Sequence, residues 1–174
     1  SKKAGGVGKP EFLITFAGNS DLIIVVECKA EITKHESKTK DKFSEYAVDG
    51  ALLYASYLSK EFDVLAIGVS GQTKQELKVS HFLQLKNKRK AIPIFGNKLL
   101  SGNDYLDGYL KSPEKFRQDY NTLLEFTKKL NDTLHSYKIL ESQRSLLISC
   151  ILIALENKAF KTSYHLFGAT NEKD

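Results

Sequence analysis

The chain of 174 residues contains no methionine, not even at position 1, and so reads as a piece of something longer. Cysteine is nearly as scarce. Cys28 and Cys150 are too few and too far apart in sequence for a disulfide scaffold, and no Cys/His spacing suits zinc, which points to a reducing compartment and the cytoplasm. Long apolar runs are missing as well: the longest, Leu146 to Leu155, is broken by Ser149 and has about half the length a bilayer crossing needs. No charged leader followed by an apolar stretch opens the chain, so no membrane location is expected. Gly68, Ser70 and Gly71 lack the further glycines and the lysine of a phosphate-cradling loop. Internal repeats and low-complexity segments are absent.

What is present is an ordinary globular composition, 41% apolar and 27% charged, long enough to bury one sizeable core. The net charge of +5 favours an anionic partner without identifying one.

The run Leu22-Ile23-Ile24-Val25-Val26 reads as a strand buried on both faces, and it ends in Glu27-Cys28-Lys29. Charges rarely enter a core unpaired. Side chains alternate along a strand, so Glu27 and Lys29 share one face, where a carboxylate can hold a hard cation and an ammonium can act beside it. The tripeptide pattern by itself says little, because Glu36-Lys38, Glu76-Lys78 and Glu156-Lys158 repeat it. Only the first copy closes a buried-looking strand that follows another strand carrying its own acid, Glu11, just before Phe12-Leu13-Ile14-Thr15-Phe16.

The stretch around Gly18-Asn19-Ser20 can turn the chain back as a hairpin. With a three-residue loop centred on Asn19, Glu11 falls opposite Glu27, the side chains about 5 Å apart on one face. A two-residue turn puts Glu11 on the other face. Two facing carboxylates repel unless a divalent cation lies between them, so a Mg²⁺ or Mn²⁺ site is expected there. Asp21 lies about 20 Å back along the same strand, which suits a role in the turn.

Further along, apolar spacing predicts a helix from Asp41 to Phe62 that packs on the sheet. Asp63 to Val69 follows as a strand parallel to the Glu27 strand, joined to it by a right-handed crossover, and Leu77 to Leu85 as another. The first 90 residues thus read β-β-α-β-β. Pro93, Gly96, Gly102 and Pro113 then punctuate the chain, and helices are expected from Pro113 through Tyr137 and from Ser142 to about Leu155. Two segments are expected, a core over 1–95 and a mainly helical connector over 96–174.

Pro10-Glu11 followed by Glu27-Cys28-Lys29 resembles the signature of the PD-(D/E)XK nuclease superfamily, with Glu in place of the usual first Asp. Gly8 to Ile14, the run through Val26-Glu27-Cys28-Lys29-Ala30, and Tyr46 to Ala55 are similar to the amino-terminal endonuclease domain of restriction-modification enzymes, type I-like or type IIG, that carry an N6-adenine methyltransferase downstream. The likeness covers about residues 5–90, and Ser145 to Leu155 resembles the helical connector before the methylase.

The resemblance implies an α/β fold, a restriction-endonuclease-like mixed sheet flanked by helices and followed by a small helical connector. It implies Mg-dependent hydrolysis of phosphodiester bonds in double-stranded DNA, with methyltransferase and specificity domains in the same or a partner chain. Glu11 and Glu27 would be metal ligands, the backbone carbonyl of Cys28 a third, and Lys29 the residue that orients or activates the attacking water. Relatives place a Gln and a Tyr four apart on the following helix; Tyr54 fits, while Gly50 stands at the Gln position. Relatives often carry a Glu on a helix before the first strand, and only ten residues precede Glu11 here.

Lys34, His35, Lys38 and Tyr54 are candidate DNA contacts, the first three in a lysine-rich loop that equally suits a solvated charge run. The tract Lys86 to Lys90 has the same two readings. His81, inside a predicted strand, reads as packing, and Cys28 as a small core residue on the face opposite Glu27. The alternatives are a DNA-repair or RNA-directed nuclease of the same fold, or a catalytically silent DNA-binding domain.

Overall fold

The computed structural model describes residues 8–166; residues 1–7 and 167–174, the outer ends of the two expected segments, lie outside the described residues. Strands β1 (Phe12–Phe16), β2 (Asn19–Lys29), β3 (Asp63–Ser70), β4 (Lys78–Gln84) and β5 (Ile92–Pro93) form one sheet in sequence order. The β2–β3 pair is parallel and the rest are antiparallel. Helix α1 (Ala47–Leu58) supplies the crossover that a parallel pair requires. Helices α2 (Gly102–Leu110), α3 (Pro113–Ser136), α4 (Glu141–Glu156) and α5 (Lys158–Ser163) follow. The protein is therefore α/β, with a five-stranded mixed sheet flanked by helices.

Both faces of the sheet are covered, which is why β2 and β3 are apolar without alternation. On one face Ile23, Val25, Val64, Ala66 and Phe82 pack with Val48, Ala51, Tyr54 and Ala55 of α1. On the other, Leu22, Ile24, Val26, Leu65, Ile67 and Leu83 pack with Tyr105 and Tyr109 of α2. Each fully buried Leu, Ile or Val contributes about 1.5–3 kcal/mol, so β2 and β3, the latter buried along its whole length, anchor the sheet.

Helix α1 meets the sheet at Gly68, where a Cβ would lie 2.7 Å from Val48 Cγ2 and 2.8 Å from the Val48 nitrogen. The helix can come that close only because position 68 has no side chain. It also starts later than the predicted Asp41. The Asp49 carboxylate, in the first helical turn and fully buried, accepts from the Ser37 N–H (3.1 Å), the Ser37 hydroxyl and the Lys42 N–H (2.9 Å). These bonds hold residues 37–42 as a folded loop, so the apolar spacing before residue 47 belongs to that loop.

Helix α2 and strand β5 fall where punctuation suggested a seam. Ser101 caps α2 by accepting from Asp104 N–H, and Tyr105 and Tyr109 bury its inner face. The compact unit that holds the sheet accordingly runs to Arg117, past the expected boundary at residue 95, and a second unit begins at Gln118. Within that second unit Arg144 donates to the Ile139 carbonyl (3.0 Å) and the Asn131 side chain (2.8 Å), tying the start of α4 to α3. No helix among the described residues is long and apolar enough to cross a membrane.

Candidate active site

The hairpin reaches the expected register by an unexpected route. Phe16 pairs with Asn19 across the two-residue turn Ala17-Gly18, a register that would set Glu11 on the wrong face. Then β2 bulges. Thr15 pairs with Ile23, so Ser20, Asp21 and Leu22 have no counterparts on β1. Three is an odd number, and an odd insertion exchanges the two faces of everything beyond it. Asn19 Oδ1 fixes the bulge by accepting from the Asp21 and Leu22 N–H groups, both at 3.1 Å. Asp21 is part of this turn, away from the acids. Beyond the bulge Phe12 pairs with Val26, the last pair of the ladder, and the same register carried one residue further would align Glu11, exposed just before β1, with buried Glu27.

Glu27 and Lys29 lie on the α1 face near the carboxyl end of β2. Glu27 is 2% exposed and level with Gly68 of β3; Lys29 is level with Ser70 and donates to Glu27 Oε1 at 2.9 Å. Helix α1 stands directly over the acid. A Cβ at Gly50 would lie 3.0 Å from Glu27 Cγ and 2.9 Å from the Phe43 carbonyl oxygen. The glycine that departs from the family pattern is thus the residue that leaves room for Glu27.

Two neighbours register the paired carboxylates. The Tyr54 hydroxyl is held above its ordinary pKa, first by burial and then by the negative fields of Glu27 and Glu11. The Cys28 thiol, which packs toward the α2 face, is raised by burial and by the same two acids, with Lys29 opposing. Both acids therefore act on one small region.

The backbone supplies a third oxygen. The Lys29 carbonyl accepts from Gly71 N–H at 3.1 Å on the β3 side, so the Cys28 carbonyl, one residue earlier, points to the β1 side. Carried two residues past its last pair, the hairpin register would align Pro10 with Cys28, and proline has no N–H to offer. In that register the Cys28 carbonyl would have no donor from position 10. Two carboxylates and a carbonyl are the hard oxygen donors that suit Mg²⁺ or Mn²⁺. Among the described residues, no three or more His, Cys, Asp or Glu side chains gather as a metal cage, so an ion here would draw on two carboxylates, that backbone oxygen and water.

The expected DNA contacts are placed differently. His35 is buried, with Nδ1 2.8 Å from Ser70 Oγ and Nε2 2.9 Å from Ser80 Oγ; it pins the loop to β3 and β4 and is not presented to a phosphate. Tyr54 is buried in the core and does not reach the surface. Lys34 lies 3.5 Å from Glu45 and over the Tyr46 ring, while Lys38 is exposed. His81 is a packing residue: Nδ1 donates to the Gly96 carbonyl (2.8 Å) and Nε2 accepts from the Tyr105 hydroxyl (2.8 Å).

Asp49, the organiser of the loop beside the site, carried no recognisable signal in the sequence. Neither did Asp63, which accepts from Lys86 N–H (2.6 Å) and the Tyr109 hydroxyl (2.6 Å) at the other end of β3. Comparison with protein-family models, curated proteins and solved structures finds no match for the chain.

Proposed function

We propose that the chain is a metal-dependent DNA endonuclease domain of the PD-(D/E)XK type, with a restriction-endonuclease-like core, working in the cytoplasm as part of a restriction-modification enzyme. One observation supports the reading: the bulged hairpin register, carried one residue past Phe12–Val26, aligns Glu11 with Glu27, on the face where Lys29 lies 2.9 Å from Glu27. Lys29 offsets part of the cost of burying Glu27, and Glu11 adds a second negative charge beside that pair. Like charges side by side cost stability, here between buried Glu27 and exposed Glu11, and phosphodiester hydrolysis is a chemistry that uses them.

Glu11, Glu27 and the Cys28 carbonyl would hold Mg²⁺ or Mn²⁺. The bound ion would polarise the scissile phosphate and lower the pKa of a coordinated water. Glu27 is held between Gly68 of β3 and Gly50 of α1. Lys29 places an ammonium beside that carboxylate, where it orients the attacking water and offsets charge on the phosphate oxygens. Double-stranded DNA is the substrate in this reading, and methyltransferase and specificity domains are the expected partners.

The test is cleavage of supercoiled plasmid with Mg²⁺ by the wild-type chain and by Glu27→Ala and Lys29→Ala. Both variants should lose cutting and keep DNA binding; undiminished cleavage by either would remove the site. A catalytically silent nucleic-acid-binding domain is the second reading, favoured by the absence of a third acidic side chain in the cluster among the described residues. It expects no cutting by the wild-type chain.

A further inference from the structure

The turn after β4 carries Lys86, Lys88, Arg89 and Lys90 within five residues, all exposed, and Lys60 at the end of α1 adds a fifth cation. Such a run is usually loose. Here it is clamped: Asn87 N–H donates to the Ser59 carbonyl (2.7 Å), Lys88 N–H to Leu85 (2.9 Å) and Lys86 N–H to Asp63 Oδ1 (2.6 Å). The Gln84 amide adds bonds to the Lys88 carbonyl (2.8 Å) and Ser59 Oγ (3.0 Å), and Asn87 takes the left-handed conformation, φ 60°, that the turn needs.

Among the described residues none of the five cations is in an ion pair. One cation near the last turn of α1 would satisfy the helix dipole, and five exceed that need. Holding them together in a rigid turn raises their mutual repulsion, which a polyanion would relieve.

We infer that this turn is a second nucleic-acid contact, a sequence-independent grip on the phosphate backbone. The choice of DNA as partner rests on the reading of the acid site; the clamped cations do not. Clefts of about 340 and 310 Å³ flank the turn, both reached by Lys88 and Arg89. The first is lined by Ser56, Ser59, Lys60, Gln84 and Asn87 with no apolar side chain, which suits phosphate and sugar; the second adds Lys90 but also Leu83, Leu85, Ile92 and the acid Glu114, so the first is the cleft that favours a phosphate backbone. The turn begins beside Asp63, five residues along β3 from the Gly68 level of Glu27, roughly 16 Å at 3.3 Å per residue. DNA held there is gripped at the end of the sheet opposite the acids.

The experiment is fluorescence anisotropy of a duplex of about 30 base pairs with the Glu27→Gln chain in EDTA, from roughly 50 to 200 mM salt. Adding Lys88→Gln with Arg89→Gln should weaken binding by about tenfold or more and cut the slope of log affinity against log salt by about 2. Lys128→Gln with Lys129→Gln, an equal loss of charge on exposed α3 positions, should leave both unchanged. An unchanged slope in the first variant, or an equal loss in the second, overturns the proposal. So does tract-dependent binding to phosphatidylserine vesicles by a chain that ignores the duplex. If the duplex data behave as expected while the wild-type chain with Mg²⁺ never cuts, the acid-site reading fails and the grip stands.

Discussion

Gly50 and Glu27 stand in contact across the interface between α1 and the sheet, with no space for even a methyl group on the helix side. A Cβ at position 50 would sit 2.9 Å from a backbone oxygen and 3.0 Å from the Glu27 side chain. Gly50→Ala should therefore destabilise the chain by about 1–3 kcal/mol through overpacking, despite alanine's better helix propensity. It should also reduce cleavage more than that stability loss explains, because Glu27 is the side chain that must yield. Urea melts and cleavage assays on the same variant separate the two effects.

Asp49 organises the loop beside the site with three hydrogen bonds from residues 37 and 42. Removing a buried acceptor strands its donors at about 1–3 kcal/mol each, so Asp49→Ala should cost about 3 kcal/mol or more. Limited proteolysis should then cut within residues 37–46 before any strand is attacked. Resistance equal to wild type in that segment would contradict the role.

With the hairpin register carried past Phe12–Val26, Pro10 would keep a donor away from the Cys28 carbonyl. Pro10→Ala gives that position an N–H able to pair with the carbonyl and extend the ladder. If the carbonyl is a metal ligand, the Mg²⁺ concentration needed for half-maximal cleavage should rise about tenfold with folding intact. A titration of activity against Mg²⁺ decides it.

His35 and His81 are both buried, and burial lowers the pKa of each below the ordinary 6.5; Lys78 adds to the shift at His35, and the Gly96 carbonyl opposes it at His81. Below about pH 6.5 the unfolded chain binds protons at these histidines that the folded chain refuses, so stability rises with pH in that range. It should be level above about pH 7 and fall as the pH drops through 6.5 toward the folded values. Urea midpoints between pH 5 and 8 measure it. His81→Gln should flatten part of the slope.

Glu76-Leu77-Lys78 repeats the tripeptide pattern at the start of β4. No acid strand faces it, so Glu76→Ala should leave cleavage and stability within about 0.5 kcal/mol of wild type. A large effect on cutting would shift attention to the β3–β4 turn.

The elements were legible where composition and period agree. The unbroken apolar run of β2, the parallel β3 and the helical spacing after Pro113 follow from burial on two faces or on one stripe, and both effects are written locally. Helix α2 and strand β5 were hidden, because Gly102, Gly108 and Pro93 look like loop residues until Tyr105 and Tyr109 have a sheet to pack on.

Among the candidate site residues, strand alternation alone dictates that Glu27 and Lys29 share a face and that Cys28 points away, so this much is readable without a fold. It could not determine how Glu11 joins them. That depended on three extra residues in β2, fixed by the Asn19 side chain, and on the backbone then pairing again in a register that buries Val25 and Ile23. His35 and Tyr54 changed from surface to interior for the same kind of reason. Whether a polar side chain faces water or core is set by what packs over it, and Asp49, Ser70 and Ser80 come from segments too distant in sequence to show a local pattern.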